Sequence, residues 1–98
     1  MVIKKVKNEN NLVIALEGRL ETTTAPELEA VIKSELDGIT ELTFDFTKLD
    51  YISSAGLRII LSAQKIMNNQ GQMKIVGANE IVMEVFDLTG FSGILTIE

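Results

Sequence analysis

The sequence contains no cysteine, no histidine and no tryptophan, and only one proline. Each absence removes a class of chemistry. Without histidine there is no Ser–His–Asp or Cys–His catalytic apparatus and no histidine phosphocarrier. Without cysteine and histidine, zinc, haem and iron–sulfur centres lose their usual ligands, so neither a metal nor a cofactor is expected. A chain without cysteine is compatible with the cytosol. Positive charge is also scarce: 9 Lys and Arg against 14 Asp and Glu, for a net charge of −5 at pH 7. A nucleic-acid binder needs a basic face, and none is evident. The one basic cluster, Lys4, Lys5 and Lys7, reads as a solvated strand face. Long apolar runs are missing too. The longest, Leu12-Val13-Ile14-Ala15-Leu16, falls well short of the ~20 residues of a spanning helix. The N-terminus lacks the apolar core of a signal peptide. The expectation is a cytoplasmic chain with neither a nucleic-acid nor a membrane partner.

What remains is an ordinary globular composition over 98 residues, 46% apolar and 23% charged. This suits a single domain spanning 1–98, which at this size buries roughly 60–70% of its unfolded surface. No Pro-rich linker, low-complexity stretch or repeat divides it.

Val2, Ile3 and Val6 alternate with lysines as a first strand. Asn8-Glu9-Asn10-Asn11 signals a turn, and Leu12–Glu17 reads as a second strand, apolar enough to be buried on both faces. Gly18 ends this hairpin. Thr24 is a plausible N-cap, with Pro26 in the first turn and Glu27 placed for a capping box. Leu28, Val31, Ile32 and Leu36 continue at helical spacing to Asp37-Gly38. Leu42–Phe46 is a third strand, Ala55–Asn69 a second helix, and Met73–Val76 a fourth strand broken by Gly77. Ile81, Val82, Val85 and Phe86 form the core stripe of a third helix ending near Gly90. Ile94–Ile97 is a last short strand. The order β-β-α-β-α-β-α-β predicts an α/β domain with a mixed, mostly parallel sheet of four to five strands and three to four helices.

One segment stands apart, Asp45 to Arg58, read as a loop joining a strand to a helix. Crossover loops at the carboxyl ends of strands commonly carry function in open α/β sheets. Here the loop brings Ser53 and Ser54 to a helix N-terminus. Either serine can cap the helix. Either can instead accept a phosphate, which the free N–H groups and helix dipole favour. A phosphate would change the surface charge by about −1.5 to −2 without unfolding the chain.

The segment resembles the signature of the STAS domain, specifically the bacterial anti-sigma factor antagonists, or anti-anti-sigma factors. The likeness runs through Gly18-Arg19-Leu20-Glu21, the strand reaching Asp45, Tyr51-Ile52-Ser53-Ser54-Ala55-Gly56-Leu57, and Val85-Phe86-Asp87-Leu88-Thr89-Gly90-Phe91. It thus covers essentially the whole chain. The family commonly reads Asp-Ser-(Ser/Ala)-Gly-Leu, with the Ser after Asp phosphorylated. Aligned on Gly56-Leu57, that acceptor falls on Ser54. Ser53 replaces the usual Asp and stays a second candidate, while Glu21 stands where many members carry Asp. The resemblance implies partner switching. The unphosphorylated chain would bind an anti-sigma factor that is also a serine kinase of the GHKL type, freeing a sigma factor. Phosphorylation would release the chain, and a serine phosphatase would reset it. The nucleotide would belong to the kinase, since no Gly-rich phosphate loop is present. The family's partner surface also includes the loop of Glu21, Thr22 and Thr23.

At about 100° per residue, Leu57, Ile60, Leu61, Gln64 and Met67 share a core-facing stripe of the second helix, whereas Ile59 and Ile66 fall nearly opposite. Either another helix covers these isoleucines, or they form a docking patch with Arg58 and Ser62 beside Ser54. The candidate partner-binding set is therefore Glu21, Thr22, Thr23, Ser53, Ser54, Ala55, Gly56, Arg58, Ile59, Ser62 and Ile66. Asp45 and Asp50 could pair on a metal in principle, but two carboxylates five apart around a turn are weak evidence for one, and solvated or capping roles suit them better.

Two other functions compete. A constitutive STAS scaffold in a stress-signalling or transport complex would bind its partner regardless of Ser54. An enzyme using Ser54 as nucleophile lacks both Gly-x-Ser-x-Gly and a histidine base; a Ser54–Lys48 pair would be its substitute, and nothing in the sequence brings the two together. The chain reads as a binding protein, not an enzyme.

Overall fold

In the computed structural model, which describes residues 1–98, strands β1 (Val2–Asn8) and β2 (Asn11–Leu20) pair antiparallel from Val2↔Glu17 to Asn8↔Asn11. Helix α1 (Ala25–Glu35) then crosses over to β3 (Glu41–Ile52), helix α2 (Ser54–Asn68) crosses to β4 (Gln72–Val76), and helix α3 (Glu80–Thr89) leads into a 3-10 turn at Phe91–Gly93. The sheet order is β1-β2-β3-β4, with β2–β3 and β3–β4 parallel. Both crossovers step in the same direction along the sheet. Right-handed connections therefore lay α1 and α2 on the same face.

Burial follows that geometry. Leu12, Ile14 and Leu16 of β2, Leu42, Phe44 and Phe46 of β3, and Met73 and Ile75 of β4 are buried under the helices. The intervening residues form an open face. Val13 is 38% exposed there, which corrects the expectation that β2 is covered on both sides. The core gathers Leu28 and Ile32 of α1, Leu57, Ile60, Ala63 and Met67 of α2, and Val82 and Phe86 of α3. Phe46 lies between Phe44 and Phe86, with ring centroids 5.8 and 6.4 Å away. Each such side chain contributes roughly 1.5–3 kcal/mol by leaving water.

Three further expectations change. β3 does not stop at Phe46 but runs to Ile52. It does so by inserting one extra residue twice against β2: Ala15↔Asp45 is followed by Glu17↔Lys48, and Gly18↔Leu49 by Arg19↔Tyr51. These bulges break the alternation of side chains, which made the segment look like a loop. The expected strand at Ile94–Ile97 shrinks to a single bridge, Ile75↔Ile97, because the turn at Phe91 holds the Ile94 and Leu95 N–H groups. Ile81 was expected in the core but is 56% exposed; Val82 and Phe86 carry the buried stripe of α3, and Val85 is half-buried.

Candidate functional site

The carboxyl ends of β2 and β3 run side by side, with Arg19 opposite Tyr51 and Leu20 opposite Ile52. The Ser53 N–H then donates to the Leu20 carbonyl at 2.9 Å. This bond ties the start of α2 to the strand that leads into Glu21, Thr22 and Thr23. Gly56 tightens the junction. A Cβ there would sit 2.6 Å from Leu20 Cγ, 3.0 Å from the Leu20 carbonyl oxygen and 3.1 Å from Ile52 Cγ1. Leu20 and Ile52 are fully buried, so only glycine admits this approach without displacing them. Gly56 is itself buried and shapes the surface through that closeness.

The two serines have different surroundings. Ser53 is extended (φ −97°, ψ 175°), and its Oγ accepts the Gly56 N–H at 3.3 Å. It is the N-cap of α2, and its carbonyl accepts the Leu57 N–H at 2.9 Å. Ser54 is the first helical residue and is exposed. Its hydroxyl forms no hydrogen bond within the chain, and neither its N–H nor that of Ala55 has an intrahelical partner. Unpaired donors and the positive end of the helix dipole thus surround a free hydroxyl.

Across the Leu20 junction, Thr24 folds its hydroxyl back into the preceding turn. It accepts the Glu21 N–H at 2.9 Å and donates to the Arg19 carbonyl at 2.8 Å. The expected capping box with Glu27 therefore does not form, and α1 begins without a side-chain cap. Thr22 and Thr23 are exposed, and Glu21 is half-buried. Glu21 Oε2 accepts from Arg19 Nε at 3.0 Å, while the Arg19 guanidinium lies 4.5 Å from the Tyr51 ring centroid. The Arg19–Tyr51 stack was not legible in the sequence, because only the second β3 bulge makes these residues face one another.

Along α2, Ala55 is half-buried, and Arg58 and Ser62 are exposed. Ser62 Oγ donates to the Arg58 carbonyl at 3.0 Å. Ile59 is half-buried against the core and Ile66 is 36% exposed; the expected apolar patch is mostly one residue. Ile66 also lies about 18 Å along the helix from Ser54. Leu61 is half-buried rather than part of the deep core. Among the candidates, the structure groups Glu21–Thr23 with Ser53–Gly56 and places Arg58 one turn on. Asp45 and Asp50 do not form a pair. Asp45 Oδ1 accepts from both the N–H and the hydroxyl of Thr47, and this stabilised carboxylate titrates below its ordinary range. Lys48 lines a cleft of about 230 Å³ with Lys4, Glu17, Asp45 and Thr47, a grouping that does not include Ser54. Lys4 and Lys5 form exposed ion pairs with Glu17 and Glu35.

Residues 2–98 match the family model for the STAS domain. The chain is 34% identical over 93 residues to BtrV of Bordetella bronchiseptica, a protein named as an anti-sigma factor antagonist; the match covers 93% of this chain and 80% of that one. An anti-sigma factor antagonist from Mycobacterium paratuberculosis superimposes with a TM-score of 0.88 at 20% identity, over 98% of this chain and 83% of that one. The Bacillus cell fate determinant SpoIIAA in its phosphorylated form gives 0.77 at 17% identity, over 99% of this chain and 91% of that one. With the fold shared and the family model matched from the first strand to the last residue, the chain belongs to the STAS domain family.

Proposed function

We propose that this protein is an anti-sigma factor antagonist that switches partners through phosphorylation of Ser54. Unphosphorylated, it binds an anti-sigma factor that is also a GHKL-type serine kinase, and a sigma factor is set free. The kinase transfers the γ-phosphoryl group of its own ATP to Ser54 Oγ, the hydroxyl proton leaves to solvent or a kinase base, and ADP remains on the kinase. A serine phosphatase hydrolyses the ester and resets the chain. The protein is the substrate and ligand of these enzymes, not an enzyme itself, and works in the cytoplasm.

The observation that carries the reading is the division between the serines: Ser53 Oγ is engaged as the cap and Ser54 Oγ is free and exposed. Phosphate on Ser54 would meet the unpaired N–H groups of the first turn. It would also stand one turn from Arg58, an exposed cation at i+4 with no ion pair in the chain. The fold would therefore tolerate the dianion. A partner docked across Thr22, Thr23 and the start of α2 would meet about −1.5 to −2 of new charge. BtrV supports the reading by its name, and SpoIIAA by having a phosphorylated form.

The test is site mapping. The chain is incubated with ATP, Mg²⁺ and the GHKL-type kinase of its host, then read by intact mass and fragmentation. Wild type and Ser53→Ala should each gain one phosphoryl group on Ser54, and Ser54→Ala none. Modification of Ser54→Ala at Ser53 would reverse the assignment.

A further inference from the structure

Helix α2 carries no aspartate or glutamate in its 15 residues, whereas α1 and α3 each have an acidic residue in the first turn, Glu27 and Glu80. Arg58 is therefore a cation without a carboxylate in reach along its own helix. The residues one turn before and after it are Ser54, Ala55, Leu61 and Ser62, all uncharged. Arg58 is exposed and forms no ion pair with any other element. Helical side chains lean toward the N-terminus, which directs Arg58 over the turn that begins with Ser54. An anion at i and a cation at i+4 is also the favourable order for such a pair. The only other arginine of the chain, Arg19, is already committed. Its Nε donates to Glu21 Oε2 at 3.0 Å, and its guanidinium lies 4.5 Å from the Tyr51 ring centroid.

We infer that Arg58 clamps the phosphate of Ser54 and thereby sets how long the phosphorylated state lasts. The inference rests on reading Ser54 as the phosphorylated residue, and adds which residue of this chain governs the reverse step. The planar fork of a guanidinium meets two phosphate oxygens at once. Dephosphorylation needs water to attack phosphorus and the bond from phosphorus to Ser54 Oγ to break. The Oγ then recovers a proton, and inorganic phosphate departs. A phosphatase that grips the same oxygens must first take them from Arg58. The pair is exposed, so the effect is a modest slowing and not a block.

The test uses the full chain with phosphoserine placed at position 54 during synthesis, so that no kinase is needed to prepare it. Wild type, Arg58→Gln and Arg58→Lys are compared at fixed ionic strength, after thermal melts confirm that each is folded. Phosphorus NMR follows the phosphate through its second ionisation, and alkaline phosphatase, an enzyme of broad specificity, supplies the rate of hydrolysis. The N–H groups of the first turn are the same in all three chains, so differences report the side chain at position 58. Arg58 favours the dianion, so Arg58→Gln should make the second acid dissociation constant of the phosphate about twofold smaller. The same variant should lose its phosphate roughly two- to fivefold faster, the fold-change equivalent of an exposed ion pair. Arg58→Lys, which keeps the charge and loses the fork, should fall between the two. An unchanged phosphate titration or an unchanged rate in Arg58→Gln overturns the inference. The reading of Ser54 then still stands if the GHKL-type kinase of the host phosphorylates it. If that kinase leaves Ser54 unmodified, the reading fails and the inference fails with it.

Discussion

Ser53 Oγ accepts the Gly56 N–H at 3.3 Å, and this one bond separates the roles of two adjacent serines. Losing it should cost stability without touching the switch. Ser53→Ala should lower the unfolding free energy by about 1 kcal/mol. Ser54→Ala should stay within ~0.5 kcal/mol of wild type, since its hydroxyl has no partner to lose. Urea unfolding followed by circular dichroism, with unchanged m-values, distinguishes them.

Gly56 should resist replacement although it lies in a helix. Alanine is the better helix former by roughly 1 kcal/mol. At this position its methyl group would press on Leu20 Cγ and the Leu20 carbonyl. Overpacking against buried groups costs about 1–3 kcal/mol, so Gly56→Ala should be net destabilising. It should also shift the amide resonances of Leu20 and Ser53, which share the junction. A stability equal to wild type or higher would mean that α2 can slide away from the sheet freely.

Gln64 is 8% exposed on the buried side of α2. Its Nε2 donates to Asn68 Oδ1 at 2.8 Å, but its buried Oε1 has no partner. Gln64→Met removes the unmatched acceptor while nearly conserving length, and Asn68 is exposed enough to be hydrated instead. The variant should gain about 1 kcal/mol. A loss of similar size would show that Gln64 is satisfied in solution.

Asp45 should make part of the stability depend on acid. The Thr47 hydroxyl and N–H donate to its carboxylate and hold its pKa below the ordinary value. A group whose folded pKa is depressed contributes fully above its unfolded pKa, near 3.9. That contribution is lost as pH falls through the folded value. Asp45→Asn should therefore be less stable than wild type at pH 6, and the gap should narrow as pH is taken below about 4. A gap independent of pH would remove Asp45 from the acid response.

The sequence disclosed the hairpin, the three helices and the direction of the sheet, because apolar spacing, Pro26 and the Gly77 break act locally. It did not disclose the open face. Val13 and Ala15 are apolar on a strand whose exposure depends on which way the crossovers turn. Nor did it disclose the length of β3, since Thr47 and Lys48 are exposed consecutively where a bulge interrupts the pleat. The site was legible as a segment through Ser53–Leu57 and the turn at Glu21. N-cap chemistry alone left either serine able to cap α2; the alignment on Gly56-Leu57 pointed to Ser54 as the acceptor, and the extended backbone at Ser53 makes Ser53 the cap. Arg19 and Tyr51 gave no signal, being 32 positions apart and matched only by the register of two strands.

The most direct test of the phospho-switch is a pull-down from the lysate of the native host, read by mass spectrometry, with wild type, Ser54→Ala and Ser54→Asp as baits. The switch predicts a GHKL-type kinase on the first two and its loss on the third. The same partners on all three baits would contradict it, leaving Ser54 as part of a helix start and the chain as a constitutive scaffold.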